Sequence, residues 1–183
     1  MKFSAKLKVS ASKTATSPSC KTLCVILITK IFNMKIQEGE VFAIQTKIGF
    51  GFLQYIKPDQ FGTEIIRVLE PIKNVNEISQ QEVEISERYT IHFVVKAALR
   101  RKLIIRTGLF KIPSNYLLPK KAREEHNVRG QFIGWHIIDK ETLKRELKNE
   151  LSKEDLKLPP HGHPNDTLLK EWLENNWKLE DWK

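Results

Sequence analysis

Cysteine is scarce in this sequence. Of 183 residues only Cys20 and Cys24 are cysteines, and both fall within the first 33 residues. Residues 34–183 can therefore form neither a disulfide among themselves nor a metal site built on thiolates, and nothing in them requires an oxidising compartment. These absences predict a cytoplasmic protein.

Recognisable catalytic motifs are missing as well. The sequence has no Gly-x-Ser-x-Gly nucleophile elbow, no phosphate-binding glycine-rich loop and no His-Glu-x-x-His helix. His161 and His163 have a spacing that two metal ligands can use, but a closed zinc site needs four ligands and no Cys or His cluster completes the set. We predict no metal, no cofactor and no enzymatic activity. An enzyme with a polar pocket around His92 or His136 is the third alternative.

Long apolar runs are absent from the N-terminal part. The run at residues 23–28 has six apolar residues, whereas a membrane-spanning helix needs about 20, and no small-residue cleavage site follows it. We therefore predict no membrane contact. Residues 1–33 carry six lysines and no acid, which accounts for most of the net charge of +9. We interpret them as a basic leader, disordered or not natively translated, before a single domain at 34–183.

Three short strands are predicted between residues 39 and 70. Each run is rich in β-branched and aromatic residues and is bounded by turn-forming residues. Gly51 inside the second strand predicts a bulge or bend, and Asp59 belongs to a turn before the third strand. Arg67 lies on an otherwise apolar face of the third strand, where we expect it to snorkel at a sheet edge.

Further strands are predicted at residues 90–97, 103–106 and 131–138, after a polar connection at 71–87. Two helices follow: one begins at Asp139, because leucines recur at four-residue spacing, and the other begins after Asn165 or Asp166. The predicted fold is α+β: a strongly bent antiparallel sheet of five or six strands, open or barrel-like, with two C-terminal helices.

Charge and tryptophan suggest where a partner would bind. Residues 96–129 contain ten bases and only two acids, a composition that suits phosphates or an acidic protein surface. Charge runs are usually solvated faces, however, and tryptophan-rich terminal helices usually pack on their own sheet. The candidate partner-binding residues are Arg100, Arg101, Lys102, Lys120, Lys121, Arg123, Glu82, Glu84, Glu87 and Trp182.

Three strand patterns also resemble a known family. They are Gly-Glu-Val-Phe-Ala-Ile at 39–44, Gly-Phe-Gly-Phe-Leu-Gln-Tyr at 49–55 and Gly-Trp-His-Ile-Ile at 134–138. Together they resemble the immunity protein 26 family, which accompanies bacterial polymorphic toxins. The resemblance spans about residues 38–139 and carries no catalytic residue.

Two functions are weighed on this basis. The resemblance implies a cytoplasmic protein that neutralises a cognate toxin by binding it, and it carries no named functional residues onto this chain. Either the basic segment meets an acidic toxin surface, or the contact is the acidic connection at residues 77–87, which contains Glu82, Glu84 and Glu87. The alternative is a nucleic-acid-binding module that uses the basic segment 96–129 against phosphates.

Overall fold

A computed structural model of the chain describes residues 35–183. The leader predicted at residues 1–33 lies outside the described residues. Eight strands and three α-helices follow one another in the described part. They are β1 (Glu40–Thr46), β2 (Gly49–Pro58), β3 (Glu64–Lys73), α1 (Gln80–Val83), β4 (Tyr89–His92), α2 (Val95–Arg100), β5 (Ile104–Leu109), β6 (Lys121–Val128), β7 (Gln131–Asp139), β8 (Arg145–Lys148) and α3 (Asp166–Glu174).

The first five strands form one antiparallel sheet in the order β4-β3-β2-β1-β5, which confirms the three strands predicted between residues 39 and 70. The β2–β3 register shifts between Gly51 and Leu53, so the bulge expected at Gly51 is also confirmed. A Cβ atom at Gly51 would lie 2.7 Å from Leu173 Cδ1. A side chain at this position would require Leu173 to move, because α3 packs closely against the sheet.

Both faces of β1 are buried, as its sequence predicts. Phe42 and Ile44 lie in a large apolar cluster that Leu169 and Leu173 of α3 complete. Val41 and Ala43 lie in a smaller cluster on the opposite face, which also contains Phe52, Leu69, Ile78 and Val83. The five-stranded sheet is therefore covered on one side by α3 and on the other by the connection that carries α1.

The remaining strands form a second antiparallel sheet in the order β6-β7-β8. The helix predicted to begin at Asp139 is wrong, because the chain turns there and returns as β8. The Asp139 carboxylate accepts hydrogen bonds from the backbone amides of Glu141 and Thr142, at 3.1 and 2.7 Å, which closes a turn. Leu143 has a positive φ of 58°, a conformation that no helix continues through.

Three other predictions need correction. β4 ends at His92 and residues 95–100 form α2, so the strand predicted at 90–97 is too long. The strand β6 was not predicted. The C-terminal part contains one α-helix, α3, capped by Asn165, and a 3₁₀ turn at Leu179–Asp181. Among residues 35–183, β4 and β5 are the two edges of the larger sheet and do not pair, so the sheet is open.

Within the described part of the chain, no helix has the length and hydropathy needed to cross a membrane.

Candidate functional site

The acidic connection makes contacts within the protein itself. Arg67 is 1% exposed, and its Nε and Nη2 both donate to Glu87 Oε2, at 3.1 and 3.0 Å. Arg67 also donates to Gln54 Oε1 at 2.6 Å. The expectation that Arg67 snorkels at an edge is therefore wrong. Glu87, proposed from sequence as a partner contact, holds the end of the connection onto the sheet.

Glu82 also has internal partners. Its carboxylate accepts from the Ser79 backbone amide at 2.8 Å, while Ser79 Oγ accepts from the Glu82 amide, so the two residues form a capping box at α1. Lys73 Nζ lies 2.9 Å from Glu82 Oε1. The hydrogen bonds from Lys73 and Ser79 lower the pKa of Glu82 to about 2. Among the three predicted acids, Glu84 alone is fully exposed.

The lowered pKa of Glu82 makes a stability prediction. Because the folded-state pKa lies below the ordinary value of 4.5, the stabilisation is present above that value and is lost as the pH falls toward about 2. We expect Glu82→Gln to lower the free energy of unfolding by about 1 kcal/mol at neutral pH, with the difference shrinking in acid. Urea unfolding over a pH series measures it. Glu84→Gln is the control, and equal effects of the two variants would contradict the prediction.

The predicted basic surface divides into exposed and buried members. Arg100, Arg101 and Lys102 are exposed at the C-terminal end of α2, and Lys120 and Lys121 are exposed at the start of β6. None of these five forms a salt bridge with a carboxylate of residues 35–183. Five of the six proposed bases are therefore available to a partner.

Arg123 is the exception, because it is fully buried. Its guanidinium carbon lies 5.1 Å from the ring centroid of Trp135 and 4.9 Å from that of Trp182. Nη2 donates to the carbonyl of Leu179, whereas Nε and Nη1 have no acceptor among the described residues. Burial lowers the pKa of Arg123, and Glu180 and Asp155 oppose that effect. The prediction that Arg123 contacts phosphate at the surface is wrong.

Trp182, a candidate partner-binding residue, is half-buried. Its ring packs edge-to-face on Trp135 with 5.0 Å between centroids. Its Nε1 donates to Glu125 Oε1 at 2.8 Å. Trp182 therefore packs the C-terminal residues against the smaller sheet, and only part of its ring is accessible to a partner.

A cleft of about 690 Å³ opens between the turn that follows β2, the end of β7 and the loop 161–163. We call it the histidine cleft, because His92, His161 and His163 all line it. The His92 and His163 rings stack with 5.3 Å between their centroids. His136, the other histidine that sequence suggested for a pocket, does not line this cleft; it lies 3.5 Å from Glu124 Oε1.

His92 is held at the inner wall of the histidine cleft. It is 7% exposed, and its Nε2 lies 3.4 Å from Asp59 Oδ2. The other Asp59 oxygen accepts from the amides of Phe61 and Thr63, both at 2.8 Å, which fixes the carboxylate. Burial lowers the pKa of His92 to about 4, with a contribution from Lys140. The imidazole is therefore neutral at neutral pH.

His161 is positioned by a short parallel pairing along β6. Its amide donates to the Arg123 carbonyl at 2.7 Å, and the Arg123 amide donates to the Pro159 carbonyl at 2.9 Å. His161 Nδ1 is buried without a partner among the described residues. Burial lowers the pKa of His161 and also that of Lys140, which lines the same cleft. Neutral imidazoles beside a desolvated ammonium group form an environment that favours an anion.

Sequence reasoning named His161 and His163 as a pair with metal-ligand spacing and His92 as a possible pocket residue, but it did not bring the three together, and it missed Lys140 altogether. Asp59 was predicted as a turn residue, which is correct, but nothing indicated that it faces His92. The cleft residues come from five separate segments of the chain, so no local spacing marks them. Among residues 35–183, no group of three or more His, Cys, Asp or Glu side chains has the geometry to hold a metal ion.

Comparison with known proteins adds no assignment. No family model matches the chain, and neither the curated proteins nor the solved structures contain a match. The resemblance to the immunity protein 26 family therefore stays a prediction.

Proposed function

We propose that the chain is an immunity protein that binds and neutralises a cognate bacterial toxin by protein–protein contact. The observation that supports this best is the outer edge of β5. Among residues 35–183 only β1 pairs with β5, and Ile105 and Leu109 on it are 47% and 60% exposed. An open edge strand with exposed apolar side chains is a template for a partner chain.

Charge next to this edge indicates the chemistry of the toxin surface. Arg100, Arg101 and Lys102 immediately precede β5 and form no salt bridge with a described carboxylate. An acidic patch on the toxin would complement them, would speed association and would set the orientation of docking. The toxin-binding face, as we define it, comprises the β5 edge and these three bases.

Charge reversal tests this face. The variant Arg100→Glu/Arg101→Glu/Lys102→Glu should fold normally and lose most partner capture, because three attractive contacts become repulsive. Its control reverses the exposed Lys144, Lys153 and Lys157. The full chain is used for capture from the native cell lysate, with and without nuclease treatment. The captured protein is then expressed alone and together with the chain.

The outcomes separate the alternatives. The proposal is supported if a single captured protein arrests growth when it is expressed alone and does not arrest growth when it is co-expressed with the chain. That protein should also be lost only from the Arg100→Glu/Arg101→Glu/Lys102→Glu variant. A partner that does not arrest growth, or that both variants retain equally, overturns the proposal.

A nucleic-acid-binding module is the second candidate, because Lys120 and Lys121 add two more exposed bases without described carboxylate partners. Material that nuclease removes, together with an affinity that falls steeply with salt, would favour it. The burial of Arg123 leaves this candidate with five of its six proposed phosphate contacts.

A further inference from the structure

The histidine cleft is lined by four bases, Lys57, Lys120, Lys140 and Arg145, and by three acids, Asp59, Asp139 and Glu141. Asp59 faces His92, and Asp139 accepts from the amides and hydroxyl of its own turn. Arg145 pairs with Glu124 at 2.8 Å. Lys57, Lys120 and Lys140 line the cleft and have no salt-bridge partner among residues 35–183. The cleft is therefore lined by three ammonium groups without a salt-bridge partner among residues 35–183, by three imidazoles, and by one carboxylate, Glu141, without a described partner.

The position of Lys140 is fixed by the surrounding chain. Its amide donates to the Lys120 carbonyl at 2.8 Å, and its carbonyl accepts from Gln60 Nε2 at 3.2 Å. The latter bond joins the turn after β2 to the turn after β7, so opposite walls of the cleft are tied together. A preformed cleft of this kind binds a ligand at a lower entropic cost than a flexible surface does.

The rest of the lining is apolar. Phe61 is 66% exposed at the cleft, and the lining also includes Leu118, Pro119, Ile138 and Leu143. Pockets of roughly 300–1,000 Å³ that combine apolar walls with a few polar groups suit small ligands. An exposed aromatic ring beside such a pocket can stack on a planar ring of the ligand.

We propose that the histidine cleft binds a nucleoside monophosphate, with the phosphate on Lys140, His92 and His161 and the base against Phe61. A phosphate offers several acceptor oxygens, and these match the ammonium hydrogens of Lys140 and the N–H groups of the imidazoles. His161 Nδ1, which has no partner in the described part of the chain, gains one from such a ligand. This site does not include β5, so nucleotide binding can be tested independently of toxin binding.

Protonation should accompany binding. The charged groups around His92 are Lys140 and Asp59, with His161 and His163 as its other titratable neighbours. A bound phosphate favours protonated imidazoles, because opposite charges raise the pKa of a base. We expect affinity for the nucleotide to increase as the pH falls below neutrality toward about 4, the pKa that burial gives His92 in the free chain.

Calorimetric titration of the full chain tests the site, with AMP, inorganic phosphate and adenosine as probes. AMP should bind more tightly than either of the others. Lys140→Gln should weaken AMP binding about tenfold or more, equivalent to about 1.4 kcal/mol. Lys144→Gln is the matched control, because Lys144 is exposed on the same turn and does not line the cleft. Phe61→Ala should reduce the preference for AMP over phosphate.

A second variant tests the site even if Lys140→Gln fails to fold. His163 is exposed, so His163→Ala should leave thermal unfolding unchanged and still weaken AMP binding, since it removes an imidazole stacked on His92. Equal AMP affinity in Lys140→Gln and Lys144→Gln would overturn the proposal. Adenosine binding as tightly as AMP, or no binding of any probe to the unmodified chain, would overturn it as well.

Discussion

Replacing Glu87 with alanine is expected to lower the free energy of unfolding by about 3 kcal/mol. Arg67 is buried in the larger sheet and gives two of its hydrogen bonds to one Glu87 oxygen. Removing the carboxylate leaves a desolvated charge whose acceptors among residues 35–183 are then Gln54 and the carbonyls of Val83 and Ile85. The side chain of Glu87 is 25% exposed, which places the effect at the low end of the range for buried ion pairs.

Urea unfolding of Glu87→Ala beside Glu84→Ala measures this effect. Glu84 is exposed in the same connection, so its variant should change stability by less than about 0.5 kcal/mol. The double variant Arg67→Met/Glu87→Leu removes both charges and should recover much of the loss, because an apolar pair of similar volume avoids the desolvation cost. If Glu87→Ala matches Glu84→Ala, the connection is not held by this pair.

The strands that were predicted correctly are those whose pattern is local. Residues 40–46 are apolar on both faces, and both faces are buried. The bulge at Gly51 was predictable because a glycine inside a strand can be recognised from the sequence alone. The polar connection at 71–87 was also predicted, and the structure places the short helix α1 within it.

The helix predicted from Asp139 failed because four-residue spacing of leucines does not by itself show burial. Leu143 and Leu147 are 45% and 50% exposed, so the spacing reflects no apolar stripe. β8 pairs with β7 through backbone hydrogen bonds, and its partners include Trp135 opposite Lys148. Backbone pairing across a turn decided the conformation, and helix propensity is too weak to override it.

The candidate sites were harder to predict than the strands, because they depend on which charges the fold buries. In the sequence, Arg67 and Arg123 resemble bases that are exposed, yet the side chains of both are buried. The histidine cleft needs the turn after β2, the end of β7 and the loop 161–163 to meet. That meeting is a property of tertiary packing, which residue spacing along one segment does not encode.

Within the segment 96–129, Arg101 is exposed and Arg123 is buried, so we expect the same substitution to change stability very differently at the two positions. We expect Arg123→Glu to lower the free energy of unfolding by about 4 kcal/mol, because it buries a negative charge near Glu180 and Asp155. Arg101→Glu, at an exposed position, should stay within about 0.5 kcal/mol of the unmodified chain.

Arg123→Met distinguishes packing from charge at this position. Methionine loses the contacts of the guanidinium with Trp135 and Trp182, each worth about 0.5–2 kcal/mol. It also loses the hydrogen bond to the Leu179 carbonyl, worth about 1.5–3 kcal/mol for a charged donor. At the same time it removes two buried N–H groups without a described acceptor, each of which costs about 1–3 kcal/mol. The losses and the gain oppose one another, so we expect a net change of less than about 1 kcal/mol by these estimates. Urea unfolding followed by tryptophan fluorescence measures all three variants. A loss in Arg123→Met as large as that in Arg123→Glu would mean that the positive charge itself stabilises the fold, through Glu180 and Asp155, and that the two tryptophans serve only to surround it.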